Sequence, residues 1–231
     1  IGYGNMTKEE MIRRGIRLLA LPLWEATPET VRERIEVVHT AARGASHVVR
    51  RLQQFYRTRP ATEQMAPVDL RDVVQEAVSL ARPLWREQAQ AAGVVLEVQQ
   101  DLQPVPPIPG EASELEEAVL NLVVNATEAI IQRGDTSRPH AIVLRTCPEG
   151  DRVVLEVSDT GPGMNEETRR RCLDPFFTTK GHLGSGLGLS LVRSFVELHG
   201  GEVRFDPTVA KGTTVVCEFP LDRAAHRHAA E

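Results

Sequence analysis

The chain has 231 residues, 41% of them hydrophobic, which is enough apolar content for one large or two modest domains. Its 27 basic and 32 acidic residues are interspersed and leave a net charge of −5, so the basic footprint of a nucleic-acid-binding surface is missing. No run reaches the ~20 apolar residues of a membrane span, no signal-peptide pattern opens the chain, and Cys147, Cys172 and Cys217 are too few and too scattered for a disulfide framework or a metal knuckle.

In chain order, Met6 to Leu21 has a helical pattern that stops at Pro22. Thr27-Pro28-Glu29 opens a second helix whose apolar residues Val31, Ile35, Val38, Ala42, Ala45, Val49, Leu52 and Tyr56 alternate spacings of four and three. That heptad seam predicts an antiparallel helical hairpin over residues 1–58. Its leftover apolar surface predicts a homodimer joined as a four-helix bundle, with a monomeric hairpin as the alternative. Residues 59–67 carry Pro60 and Pro67 among polar neighbours and read as a linker.

From residue 68 the pattern changes. Val68 to Ala92 is helical, Val94 to Gln99 alternates as a strand, Pro104 to Gly110 breaks the chain, and Ser113 to Ile130 is a strong helix. Strands are predicted at Ala141–Thr146, Arg152–Ser158, Gly201–Phe205 and Thr213–Phe219, with a helix at Leu187–His199 between them. Helices and strands mix without strict alternation, so the expected fold is α+β: a two-layer sandwich over residues 68–222, with helices on one face of a mixed sheet. Residues 223–231 form an Ala- and His-rich tail.

Four stretches of this second domain carry chemistry. Asn121 and Asn125 share one face of the Ser113–Ile130 helix beside the apolar stripe Leu115, Val119, Leu122 and Ala126. A carboxamide oxygen there suits Mg2+, although two solvated amides on a helix edge are an equal reading. Asp159-Thr160-Gly161-Pro162-Gly163 follows a strand directly; its carboxylate can accept from an exocyclic amine while the glycines admit a flat ring, and a bare turn is the alternative. Asp174-Pro175-Phe176-Phe177-Thr178-Thr179-Lys180 comes next, and Gly184-Ser185-Gly186-Leu187-Gly188-Leu189 then enters a helix. Alternate glycines before a helix expose backbone amides at its positive end, a place for polyphosphate. The paired phenylalanines would anchor a lid over Met164 to Ser185.

In this order the four stretches resemble the N, G1, F and G2 boxes of the histidine-kinase catalytic domain, whose fold is shared with gyrase B, MutL and heat-shock chaperone ATPases. The likeness runs from Leu115 to about Pro220 and includes Gly212-Thr213-Thr214. It implies ATP and Mg2+ as cofactors, with Asn125 as metal ligand, Asp159 recognising adenine, and Gly161, Gly163 and Thr213 shaping the base pocket. It further implies phosphate contacts from Thr179, Lys180, Gly184, Ser185, Gly186, Leu187, Gly188 and Leu189, with Asn121 and Lys180 as the catalytic pair. The ATPases of this fold place a glutamate four positions before the metal-binding asparagine. Here that position is Asn121, which cannot serve as a base, so slow hydrolysis is expected. Glu128 stands where many members have a lysine.

Ala41-Ala42-Arg43-Gly44-Ala45 and Leu52-Gln53-Gln54-Phe55-Tyr56-Arg57 resemble the second helix of the family's dimerisation domain. The acceptor motif of its first helix is absent, and neither His39 nor His47 has the acidic neighbour that would orient it. The expectation is a cytoplasmic sensor-kinase part that phosphorylates a histidine outside this chain, with a response regulator receiver domain as partner and no contact with nucleic acid or membrane. A serine kinase or anti-sigma-type regulator of the same fold, and a non-catalytic nucleotide-sensing relative, are the alternatives.

Overall fold

A computed structural model of the chain describes residues 65–180, 186–206 and 212–221, all within the unit Thr58–Glu231. The expected helical hairpin, its dimer seam, His39, His47, His182 and the tail histidines His226 and His228 lie outside the described residues. Among the described residues, no helix is long and apolar enough to cross a membrane.

The first element is a short strand, β1 (Ala66–Val68), paired antiparallel with β3 (Ile108–Gly110). Ala66 and Pro67, which the sequence assigns to a linker, therefore belong to the folded unit, and the break at Pro104 to Gly110 ends in a strand. Asp69 caps α1 (Leu70–Ala91) by accepting from Arg71 N at 2.9 Å, satisfying one of the free donors of the first turn. The helix buries Leu70, Val73, Val74, Ala77 and Ala81. α2 (Ala112–Arg133) runs one turn at its C-terminal end beyond the predicted helix and closes on Gly134 in the left-handed region.

Five strands form the main sheet in the order β2 (Leu96–Leu102), β4 (His140–Glu149), β5 (Arg152–Asp159), β7 (Thr213–Pro220), β6 (Glu202–Phe205). Only the β2–β4 pair is parallel; β4–β5, β5–β7 and β6–β7 are antiparallel. The mixed sheet follows from chain order, since β4 and β5 are joined by a tight turn at Gly150 while β2 reaches β4 through the α2 crossover. Helices α1, α2 and α4 (Gly188–Leu198) cover one face. Across the other run Asp101–Arg145–Glu156 and Arg152–Glu218–Arg204, ion pairs between neighbouring strands. A short helix, α3 (Glu166–Arg171), capped by Asn165, sits within the stretch read as a lid.

His199 shows how the α4 end is fixed. Its Nδ1 donates to Phe195 O at 2.6 Å, which leaves Nε2 to accept from Glu111 N at 2.9 Å, and the ring meets Phe219 edge-on. One buried imidazole thus joins the end of α4, the start of α2 and the end of β7. Burial pushes the Cys172 thiol up to about 11 and the Cys217 thiol up to about 12, so both behave as small apolar side chains, in keeping with the sequence reading.

Candidate functional site

β5 is the middle strand, and its last residue is Asp159, in register with Ile142 of β4 and Thr213 of β7. Asp159 Oδ1 accepts from Gly161 N at 2.7 Å, and the Thr213 amide also bonds to this carboxyl. Burial nevertheless outweighs both bonds and pushes the carboxyl above the ordinary carboxylate range. A carboxylate held this way has no cationic partner among the described residues, so a further donor brought to it would stabilise its charge. Small residues surround it. A Cβ on Gly161 would stand 2.7 Å from Asp159 Oδ1 and 3.4 Å from Ala129 Cβ, and one on Gly163 would stand 2.9 Å from Gly212 O. Gly212 itself has φ 90°, and a Cβ there would overlap the Asp159 carbonyl oxygen. Asp159, Gly161, Gly163, Gly212 and Thr213 thus make a closely packed corner in which glycines bring the backbone up to a buried carboxyl.

The second corner lies at the start of α4. Leu187 is buried, and its carbonyl accepts from Leu191 N and Ser190 Oγ, both at 3.0 Å, which fixes the first turn. Gly188 opens the helix, and a Cβ on it would stand 3.0 Å from Asn125 Nδ2 and 3.3 Å from Asn125 Oδ1. Asn125 Nδ2 is buried and has no hydrogen-bond partner among the described residues. An unpaired buried amide beside a helix N-terminus is the mark of a ligand position rather than of packing. Helix α2 spans the two corners, with Asn125 at one and Ala129 at the other.

The family described as histidine kinase-, DNA gyrase B-, and HSP90-like ATPase matches residues 110–223, which hold both corners. The C4-dicarboxylate transport sensor protein DctS of Rhodobacter capsulatus is 31% identical over 207 residues, covering 90% of this chain and 30% of that protein. This region is a sensor histidine kinase ATPase domain. Among solved structures, full-length ShkA in complex with AMPPNP superposes with a TM-score of 0.67 at 23% identity, over 93% of this chain and 46% of that one. Histidine kinase ThkA in complex with the response regulator protein TrrA gives 0.63 at 19%, over 94% and 60%. Both likenesses concern the fold. The chain spans under a third of the length of the first curated relatives it matches.

Within the ATPase domain the remaining sequence-selected residues take distinct places. Asn121, buried one turn before Asn125, donates from Nδ2 to Glu117 O at 2.8 Å. Gly186 lies against the backbone of Phe176, an exposed residue at φ 66°. Thr179 is exposed and Leu189 half-buried, while Gly184 and Ser185 lie outside the described residues. Lys180 does not stand open: its Nζ donates to Glu128 Oε2.

Three residues that support the Asp159 corner are not singled out for it by the sequence. Arg133, the last residue of α2, donates from Nη1 to Gly161 O at 2.9 Å. His140, one residue before the strand predicted from Ala141, is the buried first residue of β4. Its Nε2 donates to Asp135 O at 2.8 Å, and its Nδ1 accepts from Thr160 Oγ1 at 3.0 Å, so it ties the turn after α2 to the residue following Asp159. Gly212 is visible only as the glycine of Gly-Thr-Thr before the last strand. Arg133→Gln removes a charged donor from the carbonyl that fixes the glycine turn. It is expected to weaken ATP binding about three- to tenfold with little loss of stability, read by calorimetric titration beside thermal unfolding. An unchanged affinity would show that Gly161 keeps its place without this arginine.

Proposed function

We propose that this chain is the ATP-binding catalytic part of a sensor histidine kinase, which moves the γ-phosphoryl group of ATP to a histidine outside the chain for relay to a response-regulator aspartate. The observation that carries this reading is Asp159: a carboxyl buried at a strand end among glycines, bonded by backbone amides, without a cationic partner among the described residues and so open to a further donor. An adenine exocyclic amine supplies that donor. The α4 N-terminus at Gly186, Leu187, Gly188 and Leu189 then receives the phosphates, with Gly184, Ser185, Thr179 and Lys180 beside them.

The residues present fit a Mg2+ ion. Asn125 offers a carboxamide oxygen beside the helix start, its orphaned Nδ2 is a donor suited to a phosphate oxygen, and a side chain on Gly188 would crowd that amide. Asn125 would hold the ion, whose charge offsets that of the phosphate oxygens; such an ion takes its other ligands from phosphate and water. Asn121 is an amide already bonded to Glu117 O, so this helix turn provides no base to activate water. The γ-phosphoryl group is thereby kept for a nucleophile arriving in line.

Residues 1–58 are the dimerising helical hairpin in this reading, 59–65 a connector and 66–222 the catalytic domain, in a cytoplasmic setting with a receiver domain as partner. Support for the partner comes from ThkA, whose complex with a response regulator shares this fold, and from relatives named as sensor proteins. The test is to incubate the chain with labelled ATP, Mg2+ and an acceptor-containing helical domain added in trans. Acid-labile label on the added domain is expected. Acid-stable label, or no saturable binding of ATP at all, would overturn the proposal.

A further inference from the structure

The ion pair between Lys180 and Glu128 joins residues 52 positions apart, with both side chains partly exposed. Glu128 follows Asn125 by three residues on α2, so the two share a face, and it precedes Ala129, which touches the glycine turn at Gly161. Glu128 therefore stands on the helix between the corner that would take the base and the corner that would take the phosphates. Lys180 follows the Phe176–Phe177 pair, whose first member backs onto Gly186 at the approach to α4 and whose second lies 4.6 Å from the Arg171 guanidinium. Lys180 is thus anchored near the anion site by described residues on both sides of it in space.

Resting on the ATP reading above, we infer that Glu128 is a specificity-determining residue of the phosphate site: it pairs with Lys180 and must surrender it to the polyphosphate. The side chains of Lys180 and Glu128 are 26% and 41% exposed, so solvent screens their attraction and the pair is a weak one. A triphosphate offers several charged oxygens to the same ammonium group and wins the exchange. Glu128 is then left as an unpaired carboxylate facing the incoming negative charge, a repulsion that grows with the number of phosphates. The pair therefore lowers affinity for ATP more than for ADP and leaves adenosine untouched. It also leaves affinity open to adjustment by anything that neutralises Glu128, Mg2+ included.

The test uses the full chain and calorimetric titration with ATP, ADP and adenosine, each at low and moderate salt. Glu128→Gln keeps the shape and removes the charge. It is expected to tighten ATP binding about three- to tenfold, ADP by less, and adenosine not at all. Lys180→Met is expected to weaken ATP binding about fivefold or more in either background, and the Glu128→Gln gain is expected to shrink when Lys180 is absent. Equal ATP affinity for wild type and Glu128→Gln, or a loss in that variant, would overturn the inference while leaving the ATP reading standing. A wild-type chain that binds neither adenosine nor ATP would overturn the ATP reading, and the inference with it. Glu128→Lys is the second variant, expected to gain more than Glu128→Gln; thermal unfolding of each variant confirms that it is folded.

Discussion

Asp159→Asn is expected to weaken ATP binding by about 10- to 100-fold, the loss of one hydrogen bond to a charged group at about 1.5–3 kcal/mol. The same change is expected to make the nucleotide-free protein more stable at pH 7. Both effects come from one cause. Burial raises the Asp159 titration in the folded state above its value in the unfolded chain, about 3.9. The native state therefore binds this proton more strongly than the unfolded state does. The stability tied to it is complete below about pH 4 and is lost as pH rises through the native titration. Asparagine copies the protonated carboxyl and retains one oxygen to accept from the Gly161 and Thr213 amides, so it escapes that loss. Urea denaturation of both proteins at pH 4 and pH 7 should show a gain at pH 7 that disappears at pH 4. If the variant is less stable than wild type at pH 7, the carboxylate is stabilised where it stands, and the base-pocket assignment loses its main physical support.

That pocket was largely legible in the sequence because its determinants are local. Arg152 to Ser158 alternates as a strand, and Asp159-Thr160-Gly161 follows at once, so the carboxyl had to stand at a strand end. Asn121 and Asn125 share a helix face by spacing alone, and the glycines before Leu187 announce a helix start. What escaped depends on partners distant in the chain. β1 and β3 are three-residue strands containing proline, with no periodicity to detect, and exist because each pairs with the other. His140 looks like a loop residue until Thr160 and the Asp135 carbonyl are brought to its two nitrogens. Glu128 reads as a departure from the family pattern, and only the fold shows that Lys180 answers it. Arg133 offers the same lesson, since nothing near it in sequence points to the Gly161 carbonyl.

Gly212→Ala is the expected structural counterpart to the loss at Asp159. At φ 90° an L-residue is strained, which by itself costs about 1–2 kcal/mol. The new methyl group would also overlap the Asp159 carbonyl oxygen, and on its other side the Gly212 carbonyl already faces Gly163. Neither neighbour can yield cheaply: Asp159 is paired with both Ile142 and Thr213 in the sheet, so relief must come from parting the β5 and β7 ends. Overpacking of this kind adds about 1–3 kcal/mol, giving a destabilisation of about 2–5 kcal/mol together with a loss of ATP affinity of about tenfold or more. Gly150→Ala separates the two causes. That glycine, in the β4–β5 turn at φ 62°, has no atom within 4 Å of its Cβ position. It should cost only the handedness, about 1–2 kcal/mol, and leave ATP binding unchanged. Equal losses of stability in the two variants would mean that crowding at Gly212 contributes nothing; a larger loss at Gly212, accompanied by lost ATP binding, would show that the Asp159 corner depends on the close approach of these two strand ends.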